Sequence, residues 1–209
     1  MIKLKNINYQ IDQKLILRNI CLNINQGSTT VIMGKNGSGK STLLKLLNQI
    51  IQPTSGVFQS FLERPIPMLF QKPLVLKNTV KYNYQILHNI KKFQINNSWF
   101  DQFKLSAIQD QKMNSLSGGE KQKLFLARLM SFDQLTLFLD EPNQSLDLES
   151  EKLLANLLLH EKKNKTIILT LHDYNLAKKL ADHVIYLEKG KILLNEKVDF
   201  FFKKLDKLK

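Results

Sequence analysis

The run Gly34-Lys-Asn-Gly-Ser-Gly-Lys-Ser41 constrains the fold of this 209-residue chain more than any other feature. It matches the pattern G-x-x-x-x-G-K-[ST] at every fixed position. The apolar run Thr29–Met33 precedes it, and residues 40–50, with leucines at helical spacing, follow it. A buried strand, a glycine-rich loop and a helix in this order form a cradle of backbone N–H groups for phosphate oxygens. The sequence therefore predicts an α/β fold with a phosphate-binding loop.

The residues of this loop have separate predicted roles. Its glycines let the backbone approach a phosphate closely, and the N-terminus of the following helix adds a positive dipole end. We expect the Lys40 ammonium to reach the β- and γ-phosphates of a nucleotide, and the Ser41 hydroxyl to ligate Mg²⁺. The predicted nucleotide-binding residues of the loop are Gly34, Lys35, Asn36, Gly37, Ser38, Gly39, Lys40, Ser41 and Thr42.

Two carboxylates, Asp140 and Glu141, follow the apolar run 135–139. An open parallel sheet binds its ligands at the C-terminal edge of its strands. Asp140 is therefore predicted to hold Mg²⁺. Glu141 is predicted to polarise an attacking water as general base, an effect worth about 10²–10⁴-fold in rate.

The run Leu116-Ser-Gly-Gly-Glu120 precedes a helical pattern over 119–131. Its serine and glutamate fit a helix N-cap and capping box, but capping does not require two glycines. Adjacent glycines at a helix start expose N–H groups to an anion. Ser117, Gly118, Gly119 and Glu120 are therefore predicted to form a second phosphate contact.

The rest of the chain predicts a largely parallel sheet with helices on both faces. Alternating apolar and polar residues before position 29 indicate an antiparallel entry, and strands alternate with helices after it. We divide the chain into a nucleotide-binding core with a β subdomain (1–71 and 132–209) and a helical subdomain (72–131). The remaining expected elements are strands over 66–70 and 166–171, helices over 149–162 and 175–181, a hairpin around Gly190 and a helical insert over 78–111.

The chain carries 31 Lys and Arg residues against 18 Asp and Glu, a net charge of +13. The lysines are scattered among Asn, Gln and Ile, with one dense cluster over 203–209. A solvated basic surface is therefore favoured over a nucleic-acid interface, and a surface held near anionic lipid is the alternative.

The single cysteine, Cys21, excludes a disulfide scaffold and a zinc site built on several cysteines. We expect this residue to be buried as a small apolar group. No apolar run approaches the roughly 18–20 residues of a membrane-spanning helix, and the N-terminus lacks a signal-peptide pattern. These features predict a cytoplasmic protein.

The phosphate loop, the Leu-Ser-Gly-Gly-Glu run and the strand ending in Asp-Glu, in this order, resemble the nucleotide-binding subunits of ABC (ATP-binding cassette) transporters. The resemblance covers essentially the whole chain. It implies a P-loop NTPase core of RecA type, an N-terminal antiparallel β subdomain and a small helical subdomain. It also implies that the chain binds ATP and Mg²⁺ and hydrolyses ATP.

The same resemblance implies roles for five further residues. Tyr9 matches an aromatic that stacks on adenine, and Ile16 an aliphatic residue that supports the ring. Gln71 matches a glutamine that ligates Mg²⁺ and water, and His172 a histidine that contacts the γ-phosphate. Asp147 belongs to the run Ser145-Leu-Asp, which is similar to the family's D-loop and is assigned to nucleotide binding.

The chain departs from the family pattern in two places. Pro142-Asn143 replaces the usual proline–threonine, and Lys121-Gln-Lys123 follows the glutamate of the Leu-Ser-Gly-Gly-Glu run instead of the commoner Gln-Gln-Arg. Neither change removes a catalytic group.

The resemblance also implies partners. Two copies would form a head-to-tail homodimer, in which the helix start at Ser117 of one copy caps ATP held by the other. Integral membrane permease subunits and a solute-binding protein would complete the assembly at the cytoplasmic face of the inner (plasma) membrane, without nucleic acid. Residues 72–95 are expected to form the groove for a permease helix, through Leu74, Val75, Leu76, Tyr82, Tyr84 and Leu87.

Three functions stay open from the sequence: the ATPase of a transporter, a soluble translation-associated ATPase, and a chromosome-maintenance or repair ATPase. The translation branch carries two cassettes in tandem and the repair branch inserts long coiled coils, and this sequence has neither, so transport is favoured. The segment 70–83 resembles binding-protein-dependent importers. The segment 176–202 is similar to the oxyanion branch, particularly tungstate.

Overall fold

The computed structural model of the protein describes residues 1–60, 62, 66–91, 96–132, 134–144 and 146–205, with the backbone alone over 87–91. Within these residues the strands are β1 (Ile2–Ile11), β2 (Lys14–Ile24), β3 (Thr29–Met33), β4 (Ser55–Ser60), β5 (Met68–Leu69), β6 (Thr136–Asp140), β7 (Thr166–Thr170), β8 (His183–Glu188) and β9 (Lys191–Lys197). The α-helices are α1 (Lys40–Leu47), α2 (Val80–Lys91), α3 (Ser98–Gln102), α4 (Gly118–Met130), α5 (Leu148–Glu161), α6 (Tyr174–Leu180) and α7 (Val198–Leu205).

The central sheet has the strand order β5-β6-β7-β3-β8-β9. Neighbouring strands run parallel except β8 and β9, which form an antiparallel hairpin. All five residues of each of β3, β6 and β7 are buried, as expected for parallel strands covered on both faces. The predicted parallel sheet is confirmed, and the C-terminal ends of these three strands lie side by side.

A second sheet, in the order β2-β1-β4, is antiparallel. Alternate residues of β1 and β2, such as Ile2, Leu4, Ile20 and Leu22, are buried. The antiparallel entry predicted before position 29 is confirmed. The third strand, β4, was not predicted, because its sequence Ser-Gly-Val-Phe-Gln-Ser carries little apolar alternation.

The prediction of a buried Cys21 is wrong, because this residue is exposed. Its neighbours Ile20 and Leu22 both point into the core. Since successive side chains of a strand point to opposite faces, residue 21 must point outward. Its Sγ atom donates a hydrogen bond to Asn6 Oδ1 over 3.2 Å and accepts one from the Asn6 backbone N–H over 3.3 Å.

The central sheet separates two hydrophobic clusters. One face carries Ile32, Phe138 and Ile168, which pack with the leucines of α1 and the inner face of the antiparallel sheet. The opposite face carries residues such as Val31 and Leu137, which belong to one cluster with residues of α2 to α7. Burying a side chain of this size stabilises the fold by about 1.5–3 kcal/mol. Both faces of the sheet are therefore covered, as predicted.

The predicted helices over 40–50, 119–131, 149–162 and 175–181 correspond to α1, α4, α5 and α6. The first of them ends earlier than predicted, at Leu47 with Asn48 as its C-cap. Helix α7, which follows β9, was not predicted. Among the described helices, none combines the length and the apolar composition that crossing a bilayer requires.

The helical insert is longer than the predicted 78–111. It lies between β5 and β6 and contains α2, α3, α4 and the 3₁₀ helices Ser106–Ile108 and Met113–Ser115. The predicted capping box at the start of α4 is confirmed. Ser117 Oγ accepts from the Glu120 backbone N–H, and Glu120 Oε2 accepts from the Ser117 backbone N–H. The domain boundaries at 71/72 and 131/132 stay a prediction.

The turn between β8 and β9 connects three parts of the chain through Gly190. Its N–H donates to Ser38 O over 3.0 Å, and its carbonyl accepts from the Arg18 N–H over 2.8 Å. Its φ is +78°, and a Cβ on this residue would lie 2.2 Å from the Ile16 carbonyl oxygen. Only glycine fits this turn without moving β2 or the phosphate loop.

We expect Gly190→Ala to destabilise the protein by more than the roughly 1–2 kcal/mol that a left-handed alanine alone costs, because its Cβ also meets backbone. Gly27→Ala is the control, since Gly27 has a similar φ of +72° but no atom within 4 Å of its Cβ position. Urea unfolding of both variants measures the difference. Equal losses of unfolding free energy would show that the close approach at position 190 is unimportant.

Candidate active site

The phosphate loop joins β3 to α1 at the C-terminal edge of the central sheet. A Cβ on Gly34 would lie 2.1 Å from the Leu187 carbonyl oxygen, so glycine is required there. The Ser38 hydroxyl is buried and has no hydrogen-bond partner among the described residues. No side chain caps α1 at Gly39, and the first N–H groups of a helix have no acceptor within it. The start of α1, including Thr42, is therefore open to an anion.

The Lys40 ammonium lies inside this loop and its side chain is only 5% exposed. Its Nζ donates to the carbonyl oxygens of Gly34 over 3.0 Å and Lys35 over 3.3 Å. It also lies 4.0 Å from Glu141 Oε1. Burial lowers the pKa of Lys40, while the charges of Glu141 and Asp140 oppose that shift. A buried ammonium with one carboxylate neighbour is a strong attractor for a further anion such as phosphate.

Asp140 ends β6 and is only 2% exposed. Its Oδ1 accepts two hydrogen bonds, from Ser41 Oγ over 3.0 Å and from Thr170 Oγ1 over 2.7 Å. The β6–β7 pairing places Asp140 opposite Thr170. The carboxylate is thereby held beside the first turn of α1, next to the loop that would hold phosphates.

Glu141 is the centre of a second group of contacts. Its Oε2 accepts from Gln71 Nε2 over 2.8 Å, and its Oε1 lies 2.8 Å from His172 Nε2. Its backbone has a φ of +49°, and its N–H donates to Thr170 Oγ1 over 2.8 Å. The fold thus brings together Gln71, Glu141 and His172, the three residues predicted to be catalytic.

These side chains line a cavity of about 360 Å³ together with Asn36, Asn143 and Gln144. The phosphate loop contributes Asn36 to the cavity wall, and the other lining residues follow the C-terminal ends of β5, β6 and β7. The His172 side chain is 45% exposed and that of Glu141 12% exposed, and Asn36, Gln71 and Gln144 are also exposed, so the cavity is open to solvent. The cavity can admit the terminal phosphate of a nucleotide and a water.

The donor set fits a magnesium ion that is bound with a nucleotide. Within the described residues, no cluster of three or more His, Cys, Asp and Glu side chains could hold a metal by itself. Mg²⁺ needs only one or two carboxylates when phosphates and water complete its shell, and Asp140 with Ser41 provides such a partial set. The assignment of Ser41, Gln71 and Asp140 as ligands stays a prediction.

The second glycine run does not join this cavity within one chain. Ser117, Gly118 and Gly119 begin α4 in the helical insert, and no hydrogen bond or ion pair of the described residues links them to the phosphate loop. The hydrogen bonds from Ser117 lower the pKa of Glu120. Within one chain the start of α4 therefore does not line the Glu141 cavity, and its phosphate contact stays a prediction.

Tyr9 and Ile16 lie on adjacent strands of the antiparallel sheet, beside the phosphate loop. Tyr9 pairs with Leu17, and the Leu17 side chain and the Ile16 carbonyl both approach Gly39. Tyr9 is half-buried. The pair is in a position to receive a base attached to phosphates in the loop, and the stacking role of Tyr9 stays a prediction.

Asp147 is the exposed N-cap of α5. Its Oδ1 accepts from the Ser150 N–H over 2.7 Å, and hydrogen bonds from Ser150 lower the pKa of Asp147. Among the described residues it makes no hydrogen bond or ion pair with Glu141, Gln71 or His172, and its nucleotide role stays a prediction. Ser145, which belongs to the same run, lies outside the described residues.

An apolar groove of about 360 Å³ lies directly beside Gln71. Phe70, Pro73, Leu74 and Leu76 form one side, and α2 and α4 form the other with Ile86, Phe125, Arg128, Leu129 and Phe132. Leu74 and Leu76 thus lie where the permease groove was predicted, whereas the contribution of α4 was not predicted.

The expectation for Tyr84 in this groove is wrong. Tyr84 is 2% exposed and its hydroxyl donates to Asn96 O, so it packs inside the helical insert and cannot face a partner. Val75 and Tyr82 are exposed but do not line the groove. The side chain of Leu87 lies outside the described residues.

Two residues of the site were not predicted. Thr170 connects Asp140 to the backbone of Glu141. Gln122, in α4, donates to the Pro142 carbonyl over 2.7 Å and links the helical insert to the residue after Glu141. A hydroxyl at the end of a buried strand, next to a strand ending in two acids, was the available signal for Thr170.

Residues 17–144 match the ABC transporter family, and the chain belongs to that family. The petrobactin import ATP-binding protein YclP of Bacillus subtilis is 30% identical over 215 residues, covering 92% of this chain and 85% of the relative. The phosphonates import ATP-binding protein PhnC of Fusobacterium nucleatum is 32% identical over 239 residues, covering 98% and 92%.

A similar solved structure is the dimeric structure of MJ0796, a bacterial ABC transporter cassette, with a TM-score of 0.79 and 27% identity over 95% of this chain and 99% of that one. A dimeric post-hydrolysis state of the same cassette, bound to ADP and Pi, has a TM-score of 0.78. The predicted fold class is confirmed. The chain is an ATPase that uses ATP and Mg²⁺.

We expect Lys40→Ala to weaken ATP binding by about 1.5–3 kcal/mol, the range for a hydrogen bond to a charged group. Lys45→Ala is the control, because Lys45 lies on the same helix in its last turn. Fluorescence titration with a labelled ATP analogue measures both affinities. Comparable affinity for Lys40→Ala and Lys45→Ala would mean that the buried ammonium does not contact the nucleotide.

Proposed function

We propose that this chain is the ATP-hydrolysing subunit of a binding-protein-dependent importer, acting with integral membrane permease subunits at the cytoplasmic face of the membrane. The observation that carries the proposal is the contact group around Glu141, since it joins a carboxylate, a histidine and a glutamine beside a phosphate loop whose helix has no side-chain cap. The importer role is supported by the names of the curated relatives, which are import ATP-binding proteins.

In this proposal each residue acts on the nucleotide or on the attacking water. Lys40 and the first N–H groups of α1 hold the phosphates, and Ser41, Asp140 and Gln71 hold a magnesium ion. The ion supplies charge neutralisation for the phosphates. Glu141 orients a water and accepts its proton, and His172 contacts the terminal phosphate.

Glu141 can keep its partners during the proposed reaction. Gln71 and His172 each contact one of its oxygens within hydrogen-bond distance, and a carboxylate has about four lone-pair sites, so a water can join these contacts. Gln71 and His172 lie two residues beyond β5 and β7, the strands that flank β6, so both are at the sheet edge where the nucleotide is proposed to bind.

We expect Glu141→Gln to lower ATP turnover by about 10²–10⁴-fold, the range for a general base, with ATP binding retained. The amide keeps the size of the side chain but cannot accept the proton. Glu196→Gln, the same substitution on β9, is the control. A phosphate-release assay combined with ATP titration tests this, and an unchanged turnover would place the base elsewhere.

A second copy of the chain is also part of the proposal. Among the described residues, the helix start at Ser117 makes no hydrogen bond or ion pair with the phosphate loop of its own chain, and no side chain caps the helix that begins in that loop. A head-to-tail pair would place the Ser117 helix start of one copy against the phosphate loop of the other, with ATP between them. With a net charge of +13 per copy, two chains would repel each other until nucleotide phosphates lie between them.

We expect Glu141→Gln with ATP and Mg²⁺ to give a species of twice 24.3 kDa, and the nucleotide-free protein to remain smaller. In this background Gly119→Asp should block the dimer, because its carboxylate would meet the phosphates. Gly27→Asp, at an exposed turn, is the control. Light scattering over a range of concentrations distinguishes the states, and a persistent monomer would favour a different partner cassette.

The groove beside Gln71 is the proposed docking site for a cytoplasmic helix of the permease. Leu74 is 78% exposed although it is apolar, and a large exposed apolar side chain in a groove is typical of an interaction site. The Arg128 guanidinium adds a positive charge to one wall. Since Phe70 and Pro73 flank the Gln71 segment, a docked helix would act on the residue that contacts Glu141.

We expect Leu74→Glu to reduce co-purification with the permease by at least about tenfold, as loss of a central apolar contact costs roughly 1–3 kcal/mol or more. Its ATP binding should remain unchanged. Leu193→Glu is the control, because Leu193 is also exposed but lies on β9. Normal assembly of Leu74→Glu would move the docking site away from this groove.

The proposed cargo is an oxyanion, and tungstate is the specific proposal from the segment 176–202. A phosphonate importer subunit and sulfate/thiosulfate importer subunits are among the relatives, which supports the oxyanion class, although a petrobactin importer subunit is equally similar. The ATPase activity of the assembled transporter, supplied with a binding protein loaded with tungstate, sulfate, phosphonate or petrobactin, tests this. Stimulation by petrobactin alone would reject the oxyanion class.

A further inference from the structure

The hydroxyl of Thr170 is hydrogen-bonded to both acidic residues of the site. Thr170 ends β7 and is 0% exposed. Its Oγ1 donates to Asp140 Oδ1 over 2.7 Å and accepts from the Glu141 backbone N–H over 2.8 Å. One donated and one accepted bond account for the hydroxyl proton and one lone pair.

The first bond matters because it gives Asp140 a donor whose oxygen is not itself a predicted metal ligand. Asp140 Oδ1 receives hydroxyl protons from both Ser41 and Thr170. The Ser41 oxygen could ligate a magnesium ion through a lone pair while its proton stays on Asp140, and the Thr170 hydroxyl would orient the carboxylate with or without that ion. A buried donor of this kind fixes the direction in which the other oxygen points.

The second bond matters because Glu141 has an unusual backbone. Its φ of +49° lies in the left-handed region, which a glutamate adopts only when its surroundings hold it there. The Thr170 hydroxyl accepts its N–H at this point. The direction in which the Glu141 side chain leaves the strand is therefore tied to the same oxygen that holds Asp140.

Packing alone does not require a hydroxyl at this position. The preceding residues of β7, Ile167, Ile168 and Leu169, are apolar and fully buried, and valine would fill the volume of Thr170 while keeping the β-branched shape that strands favour. The hydroxyl is therefore explained by its two polar contacts.

We propose that Thr170 is a positioning residue that aligns the metal-holding carboxylate of Asp140 with the base Glu141 through one shared hydroxyl. The inference rests on the proposed function, because the roles of Asp140 and Glu141 belong to it. Thr170 itself would touch neither the nucleotide nor the metal.

The test compares Thr170→Val and Thr170→Ser in the full chain. Thr166→Val is the matched control, because Thr166 begins the same strand and its buried hydroxyl also accepts a backbone N–H, from Gly27 over 2.8 Å. Mn²⁺ binding in the presence of ADP, followed by electron paramagnetic resonance, reports on the metal site without turnover. The Mg²⁺ dependence of kcat and the melting temperature are measured in parallel.

We expect Thr170→Val to weaken Mn²⁺ binding and to lower kcat by about 10–100-fold each, the range for a lost outer contact of a metal ligand. Thr170→Ser should keep Mn²⁺ affinity and kcat near the wild-type values. Thr166→Val should lower the melting temperature only. If Thr170→Val does not fold, Thr170→Ala, which also lacks the hydroxyl, takes its place.

Wild-type metal affinity and kcat in Thr170→Val or Thr170→Ala, together with weak metal binding in Asp140→Asn, would overturn the inference and leave the proposed function intact. Wild-type metal binding in Asp140→Asn would reject the proposed metal site, and the inference with it. A lower melting temperature with unchanged Mg²⁺ dependence would also overturn it, because that is the result of a merely structural role.

Discussion

The site depends on one costly interaction, the burial of the Lys40 ammonium at the edge of a parallel sheet. Removing an ammonium from water costs several kcal/mol unless it is paired and hydrogen-bonded. The fold provides two carbonyl oxygens from the phosphate loop, and the carboxylates of Asp140 and Glu141 at the end of β6. Glu141 lies 4.0 Å from the ammonium and the charge of Asp140 also acts on it, because β6 and β3 are separated by a single strand.

That strand, β7, therefore does more than complete the sheet. Its last residue, Thr170, is hydrogen-bonded to both acids. His172 follows two residues later, and its Nε2 lies 2.8 Å from Glu141 Oε1. Glu141, just beyond β6, has a positive φ, and Gly34, just beyond β3, lies against the Leu187 carbonyl of β8. Backbone strain of this kind is typical of sites at which a fold holds side chains in a fixed geometry.

The sequence predicted the parts of the site that are local in the chain. The phosphate loop and the capping box involve residues within a few positions of each other, and the acids at 140 and 141 follow an apolar strand. The contacts of Thr170 and Gln122 depend on the register of β6 with β7 and on how α4 packs, which no local pattern contains. The errors at Cys21 and Tyr84 have the same origin, since the inward face of a strand or an insert is set by distant partners.

The position of Gln71 connects the two surfaces of the molecule. It directly follows β5 and Phe70, which line the apolar groove, and its amide donates to the carboxylate that the proposed hydrolysis requires. A partner helix in the groove that moved this segment would lengthen a 2.8 Å hydrogen bond, and such a bond weakens steeply once its geometry is lost. Gln122 makes a second connection, from α4 on the other wall of the groove to the residue after Glu141. Because both walls connect to residues 141 and 142, the proposed permease contact and the proposed hydrolysis would be coupled through this segment.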